Sequence, residues 1–350
     1  MNIVLITGSA GLIGSEAVKF FSNKFDIVIG VDNNMREYFF GKDASVIEIE
    51  KNLENTIYNY KHHNIDIRNK DELEKIFKEY NIDIKLIIHT AAQPSHDWAT
   101  KEPFTDFSIN AIGTLNLLEL TRQYSTKSVF IYTSTNKVYG DNPNYLPLIE
   151  LPTRWEIDPN HKYHLNGINE TLSIDYTKHS LFGVSKLSAD VLCQEYGKYF
   201  GMNVGIFRCG CLTGENHQGV QLHGFLSYFV KCAMNNKPYN IIGYKGKQVR
   251  DNIHSYDLIN AFWYFYNQPL FGEVFNMGGG RNNSVSILEL IDILKTKFNL
   301  TLKYKYDDIP RIGDHIWYIT DYSKFQSKYK DWKLSYNLED IINNIINNGN

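Results

Sequence analysis

Thr7-Gly8-Ser9-Ala10-Gly11-Leu12-Ile13-Gly14 closes a β-branched apolar run over residues 3–7 and opens an amphipathic stretch over 12–23. A glycine-rich turn between a strand and a helix is informative because each glycine has its own task. Gly8 permits the tight turn, Gly11 lets a pyrophosphate approach the backbone, and Gly14 lets helix and strand pack closely. The N–H groups at the helix start, around Leu12 and Ile13, then face the anion, and the aligned peptide dipoles favour it. The plain alternative is a turn that serves only the strand–helix junction. Asp32 weighs against it, because it ends the second apolar run, 27–32, about 20 residues after the turn. A carboxylate there accepts hydrogen bonds from an adenosine ribose and repels a 2′-phosphate, which predicts NAD rather than NADP. Arg36 lies beyond Asn33 and Asn34 and does not replace the acid.

Outward from this turn the same alternation continues. Apolar runs at 58–66, 86–90, 128–133 and 204–208 read as strands, and amphipathic stretches at 70–80, 112–124 and 182–200 read as helices. The pattern predicts an α/β fold, a Rossmann-like doubly wound parallel sheet with a smaller C-terminal domain. The expected boundaries are 1–211 for the dinucleotide-binding domain, rejoined by about 252–277, and 212–350 mainly for substrate binding. Residues 274–277 are expected to return to the main sheet. Residues 141–178 lack sustained periodicity, and an insertion of that size predicts a segment over the active site. The Asn-rich tail, 341–350, reads as a frayed helix end.

The bulk numbers bound the function. With 350 residues, 43% of them hydrophobic, the chain can bury a substantial core. Lys and Arg number 36 against 39 Asp and Glu, so a net charge of -3 gives no broad attraction to nucleic acid or anionic lipid, and any anion site is local. Thr7 and Gly8 interrupt the first apolar run before it reaches the length of a signal-peptide core, and no later run approaches a membrane span. Cys193, Cys209, Cys211 and Cys232 are too few for a disulfide framework and lack metal-ligand spacing. His217 and His223, six residues apart without an acidic partner, read as polar lining of a pocket. A reducing cytoplasm and no metal are expected.

Four further segments extend the reading: Asp66-Ile67-Arg68, His89-Thr90-Ala91-Ala92-Gln93, Asn110-Ala111-Ile112-Gly113-Thr114, and Thr133-Ser134-Thr135-Asn136-Lys137-Val138-Tyr139-Gly140. In this order and spacing the chain resembles the extended short-chain dehydrogenase/reductase family over nearly its whole length. The resemblance implies that Asp66 and Ile67 lie beside the adenine, with Asn33 near Asp32. It places Ala91, Ala92, Gln93 and Thr133 at strand ends next to the cofactor, and makes Asn110 a structural asparagine of that site. A narrower likeness, to nucleotide-sugar epimerases and among them those acting at carbon 2 of a CDP-sugar, rests on more segments. These are Ser134 to Asp141, Thr153-Arg154-Trp155, His179-Ser180, Gly246-Lys247-Gln248-Val249-Arg250-Asp251 and Arg311-Ile312-Gly313-Asp314. Sugar 4,6-dehydratases of the family carry an Asp-Glu pair after the catalytic hydroxyl residue; here Asn136-Lys137 follows, which disfavours dehydration.

The family's catalytic hydroxyl corresponds to Thr135, and its Tyr-x-x-x-Lys motif to Phe182-Gly183-Val184-Ser185-Lys186, whose i,i+4 ends share a helix face. The tyrosine is missing, and phenylalanine has no proton to exchange. Lys186 can still bind the nicotinamide ribose. The base is then Thr135, Tyr176, His179 or a cysteine of Cys209-Gly210-Cys211, or redox chemistry is lost. The resemblance further places Gln93, Thr135 and Asn136 at the sugar and Arg250 and Arg311 near the nucleotide diphosphate, where a guanidinium fork suits phosphate. Tyr244 could stack on the base. The expected partner is a nucleotide-diphosphate sugar, and the expected assembly a homodimer through helices 112–124 and 182–200. Leu115, Leu118 and Val191 form its seam, although the same spacing would serve an internal core. Three functions stay open: an epimerase with NAD as a returned oxidant; a 4-epimerase or net oxidoreductase on another activated sugar; and a catalytically silent dinucleotide-binding protein, for which Phe182 is the best support.

Overall fold

All five residues of Ile3–Thr7 are buried, as a strand covered on both faces requires, and this strand lies inside a seven-stranded sheet. The computed structural model describes residues 1–214, 219, 224–311 and 313–348. On one side of Ile3–Thr7 come Ile27–Val31 and Tyr60–His63; on the other come Ile84–His89, Val129–Thr135, Asn203–Cys209 and Phe271–Met277. The pairings from Tyr60–His63 across to Val129–Thr135 are parallel. Strand order therefore reverses between Ile3–Thr7 and Ile84–His89, the switch point at which doubly wound sheets bind ligands. The expected Rossmann-like class is the observed one, and 274–277 do return to this sheet.

Local chemistry accounts for the helices. In Lys70–Tyr80, Leu73, Ile76, Phe77 and Tyr80 fall on one buried stripe, while Asn69 caps the start by accepting from the Glu72 N–H at 3.2 Å. Several expected bounds shift by a few residues, two of them for a visible reason. The strand expected over 58–66 is only Tyr60–His63, because Tyr58 is exposed and Asp66 turns the chain by accepting from the Arg68 N–H at 2.9 Å. The helix Gly113–Tyr124 is preceded by a single π turn, Ser108–Ile112, that carries Asn110. Leu118 is fully buried in the core of its own chain, which removes it from the expected dimer seam; Leu115 packs partly against that core and Val191 is exposed.

The chain divides into two compact units. The first comprises Met1–Val138, Leu181–Arg208 and Leu258–Phe275; the second Tyr139–Ser180, Cys209–Asp257 and Asn276–Asn350. Residues 139–180 thus join the second unit instead of the expected 1–211. The reason is hydrogen bonding: the Trp155 N–H donates to Lys247 O at 2.8 Å, Ile168 N–H to Ile319 O at 2.7 Å, and the Tyr139 hydroxyl to Asn276 Oδ1 at 2.8 Å. The second unit's core gathers Leu226, Phe229, Val230, Ile241, Leu290 and Leu294. Ile341, Ile342 and Ile345 join it, so the helix Leu338–Asn348 is packed and not the frayed end its asparagines suggested.

In the first unit the long helix Leu181–Phe200 is tied to two strands by a buried charge. Asp190 accepts from Arg208 Nε at 3.0 Å, Arg208 Nη2 at 2.8 Å and the Ser134 hydroxyl at 2.6 Å. Removing one member of such a pair leaves an uncompensated charge in low dielectric. Asp190→Asn is expected to cost about 3 kcal/mol in urea unfolding; an unchanged unfolding free energy would show the pair to be idle.

Candidate functional site

In the first unit, the glycine turn is shaped by contacts that forbid side chains. Gly8 has φ +69°, and a Cβ there would lie 2.7 Å from Ala91 N. A Cβ on Gly14 would lie 2.0 Å from Gly8 O, so the helix rests directly on the turn. A Cβ on Gly11 would meet only Gly8 O, at 3.3 Å. No side chain caps the helix Leu12–Phe21 and no acid sits in its first turn, which leaves its positive end to an anion. Asp32 braces the turn: Oδ2 accepts from the Ala10 N–H at 3.1 Å and Oδ1 from the Asn34 N–H at 2.9 Å. A carboxylate has about four lone-pair sites, so capacity for a ribose diol remains. This cradle fits a dinucleotide.

Beside it, Asn33 Nδ2 donates to Asp66 Oδ2 at 3.2 Å, and Arg68 forks onto the same carboxylate. Burial alone would raise the Asp66 carboxyl, but Arg68 and Asn33 hold it below its ordinary value. Ile67 is buried where a Cβ on Gly113 would meet it. The Arg36 guanidinium packs 5.1 Å from the Phe40 ring centroid, and burial lowers its pKa to about 10.

The strand ends carry the remaining expected cofactor residues. Ala91 lies against Gly8, and Ala91 and Ala92 are half-buried. Gln93, assigned from sequence to both ligands, is buried with its amide committed to the chain: Nε2 donates to Ser95 O at 2.9 Å and Asp106 Oδ1 at 2.7 Å, and Oε1 accepts from the Ser95 N–H. Asn110 completes the network, accepting from the Gln93 N–H at 2.9 Å and donating to Gln93 O, Asp106 and Ser185. Burial raises the Asp106 carboxyl against the hydrogen bonds of Ser185 and Gln93. Sequence reasoning missed Asp106 and Ser185; Ser185 lies within the Phe182–Lys186 motif and Asp106 four residues before Asn110, but only the fold brings them together.

Across the sheet, Lys186 is buried and its Nζ donates to Thr133 O at 2.8 Å. The Thr133 hydroxyl is buried without a hydrogen-bond partner, a further mark of a ligand site. Thr135, at the end of its strand, is half-buried and accepts from the Lys137 N–H at 3.2 Å; Asn136 is buried in the turn that follows. Phe182 lies one helical turn from Lys186 with its ring buried, and the His96 imidazole meets it edge-on, centroids 5.0 Å apart at 67°. His89 is fully buried, hydrogen-bonded to the Thr7 hydroxyl at 2.7 Å and the Thr114 hydroxyl at 2.9 Å. Burial, assisted by Lys186, pushes its imidazole down to about 3.

In the second unit, Arg250 points its guanidinium at Asp314 and at the His315 carbonyl, and donates to Val249 O at 2.8 Å. Tyr244, at φ +52°, is half-buried; burial and then Asp314 raise its phenol, against Arg250. Arg311 is half-buried, and its carbonyl accepts from the Asp314 N–H at 3.2 Å. His179 is built into the chain: its Nε2 bonds Ile174 O at 2.8 Å and its ring lies against Gly140. Tyr176 is fully exposed, Cys209 buried and Cys211 half-buried. His217 and His223 lie outside the described residues. Among the described residues no three His, Cys, Asp or Glu gather as metal ligands would, and no helix is long and apolar enough to cross a membrane.

Residues 4–278 match the NAD dependent epimerase/dehydratase family. The chain is similar to CDP-paratose 2-epimerase of Salmonella typhi, 33% identical over 96% of either chain. It is also similar to UDP-glucuronate 4-epimerase of Thermodesulfobacterium geofontis, 27% identical over 99% of this chain and 96% of the relative. Among solved structures, a mutant UDP-glucuronic acid 4-epimerase of Bacillus cereus, in complex with NAD and a fluorinated substrate analogue, shares the fold with a TM-score of 0.79. It is 24% identical, covering 99% of this chain and 98% of that one.

The depressed imidazole of His89 gives stability a sign with pH. The unfolded chain takes up a proton near the ordinary value of 6.5 that the folded chain refuses until about 3, so this contribution grows as pH rises through that window and is level above it. Against His89→Asn, the gap in urea midpoint is expected to narrow between neutral pH and about pH 4; a pH-independent gap would mean that His89 is not kept neutral by burial.

Proposed function

Because the chain belongs to the NAD-dependent epimerase/dehydratase family, we propose that it inverts one carbon of a nucleotide-diphosphate sugar, carbon 2 of a CDP-linked sugar, through a transient keto form. The observation that carries this reading is the end-to-end likeness to CDP-paratose 2-epimerase. Bound NAD supplies a reversible hydride acceptor. The chain's own part is to hold and orient. The turn from Gly8 to Gly14 cradles the diphosphate, Asp32 takes the adenosine ribose, and Asn33, Asp66 and Ile67 border the adenine. Lys186, a buried cation, serves the nicotinamide ribose, and Thr135 hydrogen-bonds first the sugar hydroxyl and then the carbonyl that replaces it. Arg250 and Arg311 take the sugar's diphosphate and Tyr244 its base, with Arg250 exchanging Asp314 for phosphate. The work is done in the cytoplasm, in carbohydrate biosynthesis, by a homodimer formed through the exposed Ile112, Leu181, Val184 and Val191 of the two helices.

A second reading, a silent dinucleotide-binding protein, is favoured by Phe182 alone; Thr135, Lys186 and the arginines together favour an enzyme. Purified protein incubated with a CDP-sugar deuterated at carbon 2 is expected to show a primary isotope effect and to return the label to the product. An effect seen only with the sugar deuterated at carbon 4 instead would replace this reading with a 4-epimerase. Turnover found only in Phe182→Tyr would leave the native chain silent. Arg250→Ala and Arg311→Ala are each expected to raise KM about tenfold or more with kcat little changed, as loss of uniform binding does.

A further inference from the structure

Building on the epimerase reading, we propose that His96 is the catalytic base of this enzyme, handling the proton that Phe182 cannot. At the position where the family's motif places a phenol, the chain has a ring with nothing to ionise, and the imidazole of His96 lies against that ring. The two rings are held from the same buried network. The backbone just before His96 is fixed by Gln93 and Ser95, which bond each other twice, and Ser95 also accepts from the Trp98 N–H at 3.4 Å. Gln93 is bound by Asn110 and Asp106. Asn110 donates to Ser185, whose hydroxyl donates to Phe182 O at 3.0 Å. Preorganisation of this kind is what a base requires, since its reach must be set before the substrate arrives.

Four other ionisable groups on or beside the helix Leu181–Phe200 are committed to the interior. Both nitrogens of His89 are bonded in the core, Lys186 donates to Thr133 O, Asp190 is paired with Arg208, and Cys193 is buried with its thiol pushed well up by burial. Thr135 can orient a hydroxyl, but its own neutral hydroxyl is too weak a base to take the proton. His96 is half-buried, and histidine is the side chain that ordinarily exchanges protons near neutral pH. The charged groups on the elements packed against its helix are Asp97 and Lys101 on that helix, Asp106 on Pro103–Phe107, Lys186, Asp190, Glu195 and Lys198 on Leu181–Phe200, and Arg36 and Glu37 on Met35–Phe40, whose Phe39 packs on Trp98. The imidazole would take the proton of the sugar hydroxyl while NAD, when bound, would accept the hydride from the same carbon, so that C–O becomes C=O. Hydride returned to the opposite face of that carbon, with the proton returned from the imidazole to the oxygen, would restore the resting state.

The test uses the full chain with NAD in four forms: wild type, His96→Gln, Phe182→Tyr and the double variant. His96→Gln is expected to bind NAD as wild type does by calorimetry, yet to lose hydride transfer from a CDP-sugar by about 100-fold or more and to lose the acid limb of the pH profile. The double variant is expected to recover part of the rate with the limb moved to alkaline pH, as a phenol in place of an imidazole dictates. Independently of turnover, the His96 imidazole, followed by nitrogen-15 NMR, is expected to change its titration when NAD saturates the protein. Wild-type rate and pH profile in His96→Gln would overturn the proposal while leaving the epimerase reading intact. An imidazole unmoved by NAD would overturn it even if no sugar is turned over, and absence of turnover in all four forms would instead defeat the epimerase reading.

Discussion

The first unit depends on a place where backbone touches backbone. The start of the helix Leu12–Phe21 sits so close to the carbonyl of Gly8 that the smallest side chain on Gly14 would collide with it. Such contact exists only if neighbouring loops hold the turn from behind. They do: Asp32 takes the Ala10 N–H, the Thr90 hydroxyl donates to Thr7 O at 2.7 Å, and Gly8 N–H donates to Val31 O at 2.7 Å. Three loops at the ends of adjacent strands are thereby cross-tied through short side chains, and the open helix end is presented as a rigid surface.

A second constraint is electrical neutrality in the interior. His89 sits in the middle of the sheet as a neutral ring with hydroxyls on both sides, and Asp190 is the counterion of a buried arginine. Gln93, Asp106, Asn110 and Ser185 satisfy one another across a loop, a π turn and a long helix. Buried polar groups satisfied in this way specify one geometry and make departures from it costly. That is the property a hydride-transferring site needs, because reacting atoms must meet within a fraction of an ångström.

What the chain displays locally was legible in its sequence. The glycine turn, the strand-end Asp32, the alternation of strands and helices and the Lys186 face depend on neighbours within about one element, where periodicity speaks directly. What failed depends on distant partners. Gln93, expected at the cofactor and the sugar, also braces the chain, because Asp106 and Asn110 bond to it from the segment that follows. Leu118 looked like a seam residue and is interior, and the isoleucines among the terminal asparagines hide a packed helix. Residues 139–180 group with the second unit instead because their lack of pattern conceals hydrogen bonds to Lys247, Asn276 and Ile319, far along the chain. His96 drew no notice for the same reason: nothing near it in sequence announces Phe182.

The two units are interleaved along the chain, and this bears on how the protein is made. The first needs Phe275 before its last strand can join, and the second cannot close its core until Ile345 has been added. A nascent chain leaving the ribosome therefore carries Leu226, Phe229 and Val230 incompletely covered until Ile345, more than a hundred residues later, has emerged. A stop codon just before Ile341 would strip Ile341, Ile342 and Ile345 from that core and produce a polypeptide with its dinucleotide half assembled and its other half open to chaperones and proteases.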